Sequence, residues 1–295
     1  MIYISSAQAA EKWGISERSV RNYCAGGRVE GAFLKGKTWN IPENAEKPAR
    51  GNNRVRSLPL KDILKREKES KLSGGIYHRV QIELTYNSNH IEGSRLTHDQ
   101  TRYIYETNTI GISEQPARVD DIIETANHFL CVDMIISNAD KKLSQSFIKE
   151  LHRTLKSGTS NSRRSWFAVG EYKRFPNEVG GEDTTSPEDT GKELRKLILW
   201  YEGLEVVSLE DILDFHVRFE KIHPFQDGNG RVGRLVMFKE CLRNNIVPFI
   251  IDEGIKIPYY NGLKNWGSER GYLIGTCGLA QDAFKSLLDY FNIKY

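Results

Sequence analysis

The stretch His223-Pro-Phe-Gln-Asp-Gly-Asn-Gly-Arg-Val-Gly-Arg234 lies between two predicted helices and forms the corner that joins them. Apolar residues recur at helical spacing before it, and Pro224 cannot continue that helix because it lacks an amide hydrogen. We therefore expect His223 at or near the end of the first helix. The turn Gly228-Asn229-Gly230 frees the backbone, and apolar spacing predicts a second helix over residues 231–243.

The same twelve residues contain the kinds of groups that bind a phosphate and catalyse its transfer. A Gly-Asn-Gly turn at a helix N-terminus points several N–H groups into one concavity, which favours an anion. Arg231 and Arg234 add positive charge at the helix N-terminus, where it opposes the helix dipole. These arginines therefore lower the stability of the helix unless an anion binds there. Asp227 is a candidate Mg²⁺ ligand, and His223 is a candidate base for a hydroxyl nucleophile. The pattern predicts a phosphoryl- or nucleotidyl-transfer site.

Every fixed position of this stretch matches the signature of the Fic (Fido) family, H-x-F-x-[DE]-G-N-G-R-x-x-R, so the chain resembles that family. The alternative, an ordinary helix corner with a buried histidine, would require eight specified positions to coincide. The resemblance implies a mainly α fold over residues 75–290, a Fic helical bundle with a β-hairpin flap. It implies that His223 is the base, that Asp227 binds Mg²⁺, and that the nucleotide is bound by Gly228, Asn229, Gly230, Arg231 and Arg234.

The segment Ser88-Asn-His-Ile-Glu-Gly93 matches the inhibitory pattern of the same family, [ST]-x-x-x-E-[GN], and lies on a predicted helix around residues 85–94. The resemblance implies that Glu92 pairs with Arg234 and displaces the γ-phosphate of ATP, with Ser88 and Gly93 as parts of the motif. A carboxylate fits the fork that a phosphate oxygen would otherwise occupy. The ordinary interpretation is a solvent-facing helix end.

Two further segments resemble the family's nucleotide site. Residues 170–181 correspond to the flap, which lays a target side chain beside the site by β-augmentation, although Lys173 stands where the family more often has Arg. Tyr259 corresponds to a tyrosine that bounds the adenosine, and it is equally well explained as a core aromatic. His152 and His216 match packing residues. The flap residues expected along the nucleotide are Val179, Gly180, Gly181 and Glu182.

The first 48 residues carry a different pattern. Ser6 and Ser16 are expected to cap two short helices joined by a tight turn, and two β-prone runs around Gly36 predict a hairpin. This stretch resembles small winged helix-turn-helix domains of the MerR and phage-excisionase kind. Residues 49–74 are interpreted as a linker and a leading helix. The predicted DNA-binding residues are Arg18, Arg21, Asn22, Lys35 and Lys37.

Charge is unevenly distributed, which supports this interpretation of the N-terminus. Residues 1–56 hold ten Lys or Arg and five Glu, whereas the whole chain has a net charge of only +3. DNA and a homodimer are therefore expected partners, the latter because so small a domain reads few base pairs alone. The open alternative is a module that packs or dimerises, with its charges solvated.

The sequence contains no apolar run of membrane-spanning length and no secretory signal, and its four cysteines are widely spaced. We expect a cytoplasmic protein without a membrane partner. The leading functional prediction is Mg²⁺-dependent transfer of AMP from ATP to a Tyr, Thr or Ser hydroxyl of an unidentified protein or of the chain itself, restrained by Glu92. Hydrolytic removal of AMP is a related activity. The alternative is a DNA-binding transcriptional regulator whose Fic domain senses a nucleotide.

Overall fold

The structure, a computed structural model, describes residues 2–25, 27–36, 38–48, 58–111 and 116–295. The chain divides into two compact units, residues 1–57 and residues 58–295. Among the described residues, no helix combines the length and the apolar character needed to cross a membrane.

The N-terminal unit contains two helices and a three-stranded antiparallel sheet. In the sheet, the strand Thr38–Pro42 lies between the strands Tyr3–Ser5 and Phe33–Lys35, with Ile4 opposite Ile41 and Leu34 opposite Trp39. The helices pack on it through a small apolar core that includes Trp13. The elements are β1 (Tyr3–Ser5), α1 (Ser6–Trp13), α2 (Glu17–Ala25), β2 (Phe33–Lys35) and β3 (Thr38–Pro42).

Two details of this unit differ from the sequence-based expectation. The cap of α1 is Ser5, not Ser6, because Ser5 is extended and exchanges capping hydrogen bonds with Gln8. The hydroxyl of Ser6 instead donates to Glu17 at 2.7 Å, which ties α1 to α2. Strand β1 was not predicted, since three residues are too few to show an alternating pattern.

The C-terminal unit is mainly helical, which confirms the predicted fold class. A two-stranded hairpin interrupts the helices. The elements are α3 (Leu60–Ser70), α4 (Ile76–Ile91), α5 (His98–Thr107), α6 (Val119–Ser137), α7 (Gln145–Lys156), β4 (Glu178–Val179), β5 (Glu182–Asp183), α8 (Pro187–Glu202), α9 (Leu209–Ile222), α10 (Asn229–Arg243), α11 (Lys256–Asn265) and α12 (Arg270–Tyr290).

Helix α10 is the centre of this unit. It packs against α3, α4, α6, α7 and α9, and nearly all of its residues are buried. Even its charged residues lie inside, where they are paired: Lys239 contacts Glu240 at 2.6 Å, and Arg243 contacts Glu202 at 2.5 Å. A helix held on so many sides gives a rigid platform for the groups at its N-terminus.

The hairpin lies slightly later in the chain than the predicted flap over residues 170–181. Its paired strands are β4 and β5, and Gly180 and Gly181 form the turn between them. Both glycines have positive φ, 60° and 81°, which is the requirement of a tight two-residue hairpin turn. The two glycines therefore mark the turn of the flap, and not its end.

The leading helix α3 is part of the C-terminal core. Leu64 is fully buried among the core residues, whereas Leu72, just beyond the helix, is half exposed. Leu64→Ala should lower the free energy of unfolding by about 2–5 kcal/mol through the cavity it leaves, and Leu72→Ala should change it by less than about 0.5 kcal/mol. Urea titration followed by circular dichroism measures both. Equal effects would show that α3 is only a linker helix.

Candidate active site

His223 ends α9 in a left-handed conformation, with φ 48° and ψ 63°. Such a backbone is uncommon for a residue other than glycine and is typical of functional sites. Its Nδ1 lies 3.2 Å from the carbonyl oxygen of Glu220. Because a carbonyl only accepts, Nδ1 must carry the hydrogen, and Nε2 is left as a proton acceptor. Burial lowers the pKa of His223, which keeps the ring neutral.

The loop after His223 is closed by the side chain of Asn229. Its Oδ1 accepts from the backbone N–H of Phe225 at 2.8 Å, and its Nδ2 donates to the carbonyl of Phe225 at 2.7 Å. Helix α10 begins at Asn229, two residues earlier than predicted, after Gly228 with φ 84°. The buried amide of Asn229 is thus engaged within the loop, which leaves its backbone as the part able to meet a nucleotide.

His152, which was predicted only as a packing residue, supports the same loop. Its Nδ1 accepts from the backbone N–H of Gly170 at 2.9 Å, so its Nε2 carries the hydrogen and donates to the carbonyl of Asp227 at 3.1 Å. The ring stacks on Phe225 with 3.9 Å between centroids. Burial lowers the pKa of His152 to about 3. A neutral histidine therefore fixes the backbone of the candidate metal ligand.

The carboxylate of Asp227 sits at the edge of a buried charge cluster. One oxygen accepts from Lys156 Nζ at 2.6 Å, and the other accepts from the backbone N–H of Gly228 at 2.7 Å. Burial raises the pKa of Asp227, but the charges of Lys156 and Arg231 outweigh burial and bring the pKa to about 2. Asp227 is therefore ionised, and its side chain is 45% exposed.

Arg231 occupies a different place from the one predicted. It pairs with Glu124 of α6 and is buried, and its other terminal nitrogen lies 3.8 Å from Asp227. Among the described residues, Arg231 is not part of the lining of the cavity beside His223. The two arginines are neighbours on α10, and each is held by a different carboxylate: Arg231 pairs with Glu124 of α6, whereas Arg234 pairs with Glu92 at the end of α4.

Arg234 is held by the end of α4. Its Nε donates to the hydroxyl of Ser88 at 3.0 Å, and one terminal nitrogen donates to the Ser88 carbonyl at 2.9 Å and to Glu92 at 2.7 Å. Burial raises the pKa of Glu92, but the guanidiniums of Arg234 and Arg231 lower it by more. The pKa of Glu92 is therefore below its ordinary value, and Glu92 is ionised. The structure brings together the residues of the two sequence motifs, 142 positions apart.

A glycine lies on each side of this ion pair. Helix α4 ends at Ile91, and Gly93 turns the chain away with φ 91°. Across the contact, a Cβ at Gly230 would collide with the carboxylate of Glu92. The lack of a side chain at Gly230 therefore lets Glu92 reach the N-terminus of α10.

A cavity of about 430 Å³ opens beside these groups. Glu92, His223 and Arg234 line it together with the hairpin. Gly181 lies in the hairpin turn. The predicted nucleotide residues in the lining are Val179, Gly180, Glu182, Gly230, Arg234 and Tyr259.

The two tyrosines of α11 have different roles. The ring of Tyr259 is fully buried, and its hydroxyl lies 2.5 Å from His216 Nε2, which makes it a supporting residue of the cavity wall. Tyr260 is 41% exposed and lines the cavity. Of the two rings, Tyr260 is the one available to pack against a ligand, a difference of one position that the sequence pattern did not resolve.

Comparisons with known proteins identify the family of the region that contains this cavity. Residues 142–241, which include His223, Asp227 and Arg234, match the model of the Fic/DOC family. The chain contains a Fic/DOC domain. It is 30% identical over 209 residues to a protein adenylyltransferase Fic of Drosophila mojavensis, covering 68% of this chain and 38% of that protein. The corresponding protein of Drosophila erecta is 29% identical, with the same coverage of both. The chain thus spans well under half of these relatives' length.

Solved structures support the fold of the Fic/DOC domain. A Fic domain-containing signaling protein from Bacteroides thetaiotaomicron superposes with a TM-score of 0.61 at 26% identity, covering 76% of this chain and 92% of that one. Fic-1 from C. elegans superposes with a TM-score of 0.59 at 20% identity, covering 78% of this chain and 69% of that one. The predicted Fic helical bundle is therefore confirmed as the fold.

Lys173 anchors the flap of the Fic/DOC domain, a role that the sequence did not reveal. Its ammonium donates to Asn177 at 2.7 Å, to Thr184 at 2.6 Å and to the carbonyl of Ile222 at 3.2 Å. Burial lowers the pKa of Lys173 to about 8. One buried side chain thus ties both flanks of the hairpin to the residue before His223.

Glu220 is another residue of the cavity lining whose position the sequence did not reveal. Its Oε2 lies 3.8 Å from Nδ1 of His223, and burial raises its pKa to about 8. A carboxyl group that is largely protonated near neutrality can lie beside the ionised Glu92 without strong repulsion.

The predicted DNA-binding residues lie on the N-terminal unit. Arg18, Arg21 and Asn22 are exposed on α2, although Arg21 pairs with Glu17 at 2.6 Å. Lys35 is exposed at the end of β2, and Lys37 lies outside the described residues. DNA binding by this unit stays a prediction.

The Asn229 amide should be a main stabiliser of the loop. Asn229→Ala leaves the buried N–H of Phe225 without its partner, whereas the carbonyl of Phe225 keeps its hydrogen bond from Asn177 at 2.9 Å, and we expect the free energy of unfolding to fall by about 1–3 kcal/mol. Asn265→Ala, at an exposed position of α11, should change it by less than about 0.5 kcal/mol. Both are measured by urea denaturation. A loss below about 1 kcal/mol in Asn229→Ala would mean that the loop does not depend on this amide.

Proposed function

We propose that the Fic/DOC domain transfers AMP from ATP to a hydroxyl side chain of a protein. The observation that carries this proposal is the contact of His223 Nδ1 with the Glu220 carbonyl at 3.2 Å, which leaves Nε2 free to accept a proton. The ring of His223 lines the same cavity as Arg234 and the start of α10. A base and a phosphate-binding helix N-terminus then face one ligand. The curated relatives named protein adenylyltransferase support this choice of reaction.

The chemistry follows from these positions. Nε2 of His223 accepts the hydroxyl proton while the hydroxyl oxygen attacks the α-phosphorus of ATP, and the bond to the β-phosphate oxygen breaks. Pyrophosphate leaves, and its charge is stabilised by the backbone N–H groups of Asn229 and Gly230 at the start of α10 and by Arg234. Nδ1–H stays on the Glu220 carbonyl and keeps the ring oriented throughout.

The residues around Asp227 fit a magnesium ion that is shared with the nucleotide. Asp227 is ionised and partly exposed, and Mg²⁺ in proteins often uses one carboxylate together with substrate phosphates and water. In the described part of the chain, no group of three or more His, Cys, Asp or Glu converges to hold a metal alone. When bound, the ion would neutralise charge that develops on the leaving phosphates.

The hairpin β4–β5 is the proposed docking element for the target. Val179, Gly180 and Glu182 line the cavity, so a segment that pairs with an edge of this hairpin would lie next to His223. We propose an unidentified protein and the chain itself as acceptors.

The contact between Glu92 and Arg234 supports a resting state with restrained transfer. Glu92 lies 2.7 Å from the guanidinium of Arg234 and already balances its charge, so a γ-phosphate would have to compete with this carboxylate. A displaced γ-phosphate shifts the α-phosphate, and a misplacement of about 1 Å can cost roughly a hundredfold in rate. Glu92 is also the group that would orient water if the domain removes AMP from a modified protein.

His223→Ala should abolish transfer while ATP still binds, because the phosphates are held by the start of α10 and by Arg234. Labelled ATP and target or auto-modification report transfer, and calorimetry reports ATP affinity on the same sample. His98→Ala, at a partly exposed histidine of α5, should retain both. Transfer that persists in His223→Ala would refute its assignment as the base.

Glu92→Gly should raise auto-modification by about ten- to a hundredfold, since it frees Arg234 for the γ-phosphate. Asn87→Gly is the matched control, because it loosens the last turn of α4 while leaving Glu92 in place. Both rates are measured with labelled ATP. Equal labelling by wild type and Glu92→Gly would contradict autoinhibition, and activation by Asn87→Gly would assign the effect to helix loosening. Removal of AMP by wild type but not by Glu92→Gly would show hydrolysis that depends on Glu92.

A further inference from the structure

Four charged side chains form a closed, alternating cluster behind the loop. Lys156 of α7 contacts both Glu124 of α6 and Asp227, and Arg231 of α10 contacts Glu124 and approaches Asp227 to 3.8 Å. Two cations and two anions make the cluster neutral. Its three inner members are largely buried, and Asp227 alone reaches the edge, with 45% of its side chain exposed.

Lys156 cannot withdraw into solvent. Its side chain is 2% exposed, its Cδ lies 3.4 Å from the position of a Cβ on Gly228, and its ammonium lies 5.8 Å from the ring centre of Phe167. The positive charge 2.6 Å from Asp227 is therefore a fixed part of the site, unlike a surface lysine that moves aside when a cation arrives.

We propose that Lys156 acts as a resident cation that competes with a divalent metal ion for Asp227, so that the metal binds well only together with a nucleotide. This inference rests on the proposed role of Asp227 as the metal ligand. A divalent ion added to the neutral cluster creates an unbalanced charge of +2 within a few ångströms of the Lys156 ammonium. The negative charges of the nucleotide phosphates offset that charge. Glu124 keeps Lys156 paired when Asp227 turns to the metal.

Removal of the lysine charge should therefore create a stronger metal site, which is a gain that damage to the structure would not produce. In Lys156→Met the carboxylate of Glu124 still pairs with Arg231, and Asp227 loses its nearest cation. Lys156→Gln is a second variant that keeps a donor toward Glu124 without the charge. Lys149→Met is the matched control, since Lys149 lies two turns earlier on α7 and pairs with Glu171.

The experiment uses the full chain and Mn²⁺ as the probe, with free Mn²⁺ counted by electron paramagnetic resonance, with and without a non-hydrolysable ATP analogue. Without nucleotide, Lys156→Met and Lys156→Gln should bind Mn²⁺ at least about tenfold more tightly than wild type, and Lys149→Met should equal wild type. With the analogue present, the difference should shrink. Adding Asp227→Asn to Lys156→Met should remove the gain.

Equal or weaker Mn²⁺ binding by both Lys156 variants, with melting curves like wild type, would overturn the inference. A gain that survives Asp227→Asn would also overturn it, because the metal would then lie elsewhere. Failure of AMP transfer is a separate outcome: if Glu92→Gly labels nothing while the Mn²⁺ results hold, the competition stands and the proposed reaction falls.

Discussion

The guanidinium of Arg234 is a buried charge, and the arrangement of the site depends on how that charge is compensated. Burial of an unpaired cation costs several kcal/mol, so its partners must be close and well oriented. Ser88 and Glu92 supply three acceptors from the end of α4, and α10 holds the arginine backbone from the other side. The residues at the end of α4 and those at the start of α10 thus line the same cavity.

The two arginines of the signature, Arg231 and Arg234, have different partners and different positions in the structure. Arg231 balances Glu124 inside the bundle, where it joins α6 to α10, whereas Arg234 lines the cavity and is paired with Glu92. Both are strongly positive groups at a helix N-terminus, where they oppose the helix dipole. Their placement is tolerated because each has an anion beside it.

Much of the site could be predicted because its parts are local. His223 follows from a helix stopped by Pro224, and the start of α10 follows from Gly228-Asn229-Gly230, although the helix begins two residues early. The mainly α fold was expected from the resemblance of this stretch to the Fic family. The hairpin lies at residues 178–183, later in the chain than the predicted flap over residues 170–181. A Gly-rich run shows that a turn exists, but it does not show which residues pair.

By itself, the sequence determined the helices on either side of residues 223–230, the corner at His223 and the presence of two arginines and an acid near a helix N-terminus, since these depend on spacing within a few turns. Only the tertiary structure decided which arginine faces the cavity, that Tyr260 and not Tyr259 is available to a ligand, and that Lys173 and Lys156 hold the flap and Asp227. Those outcomes depend on contacts between residues far apart in the chain. The energy of a buried charge depends on such partners, and the local sequence pattern does not identify them.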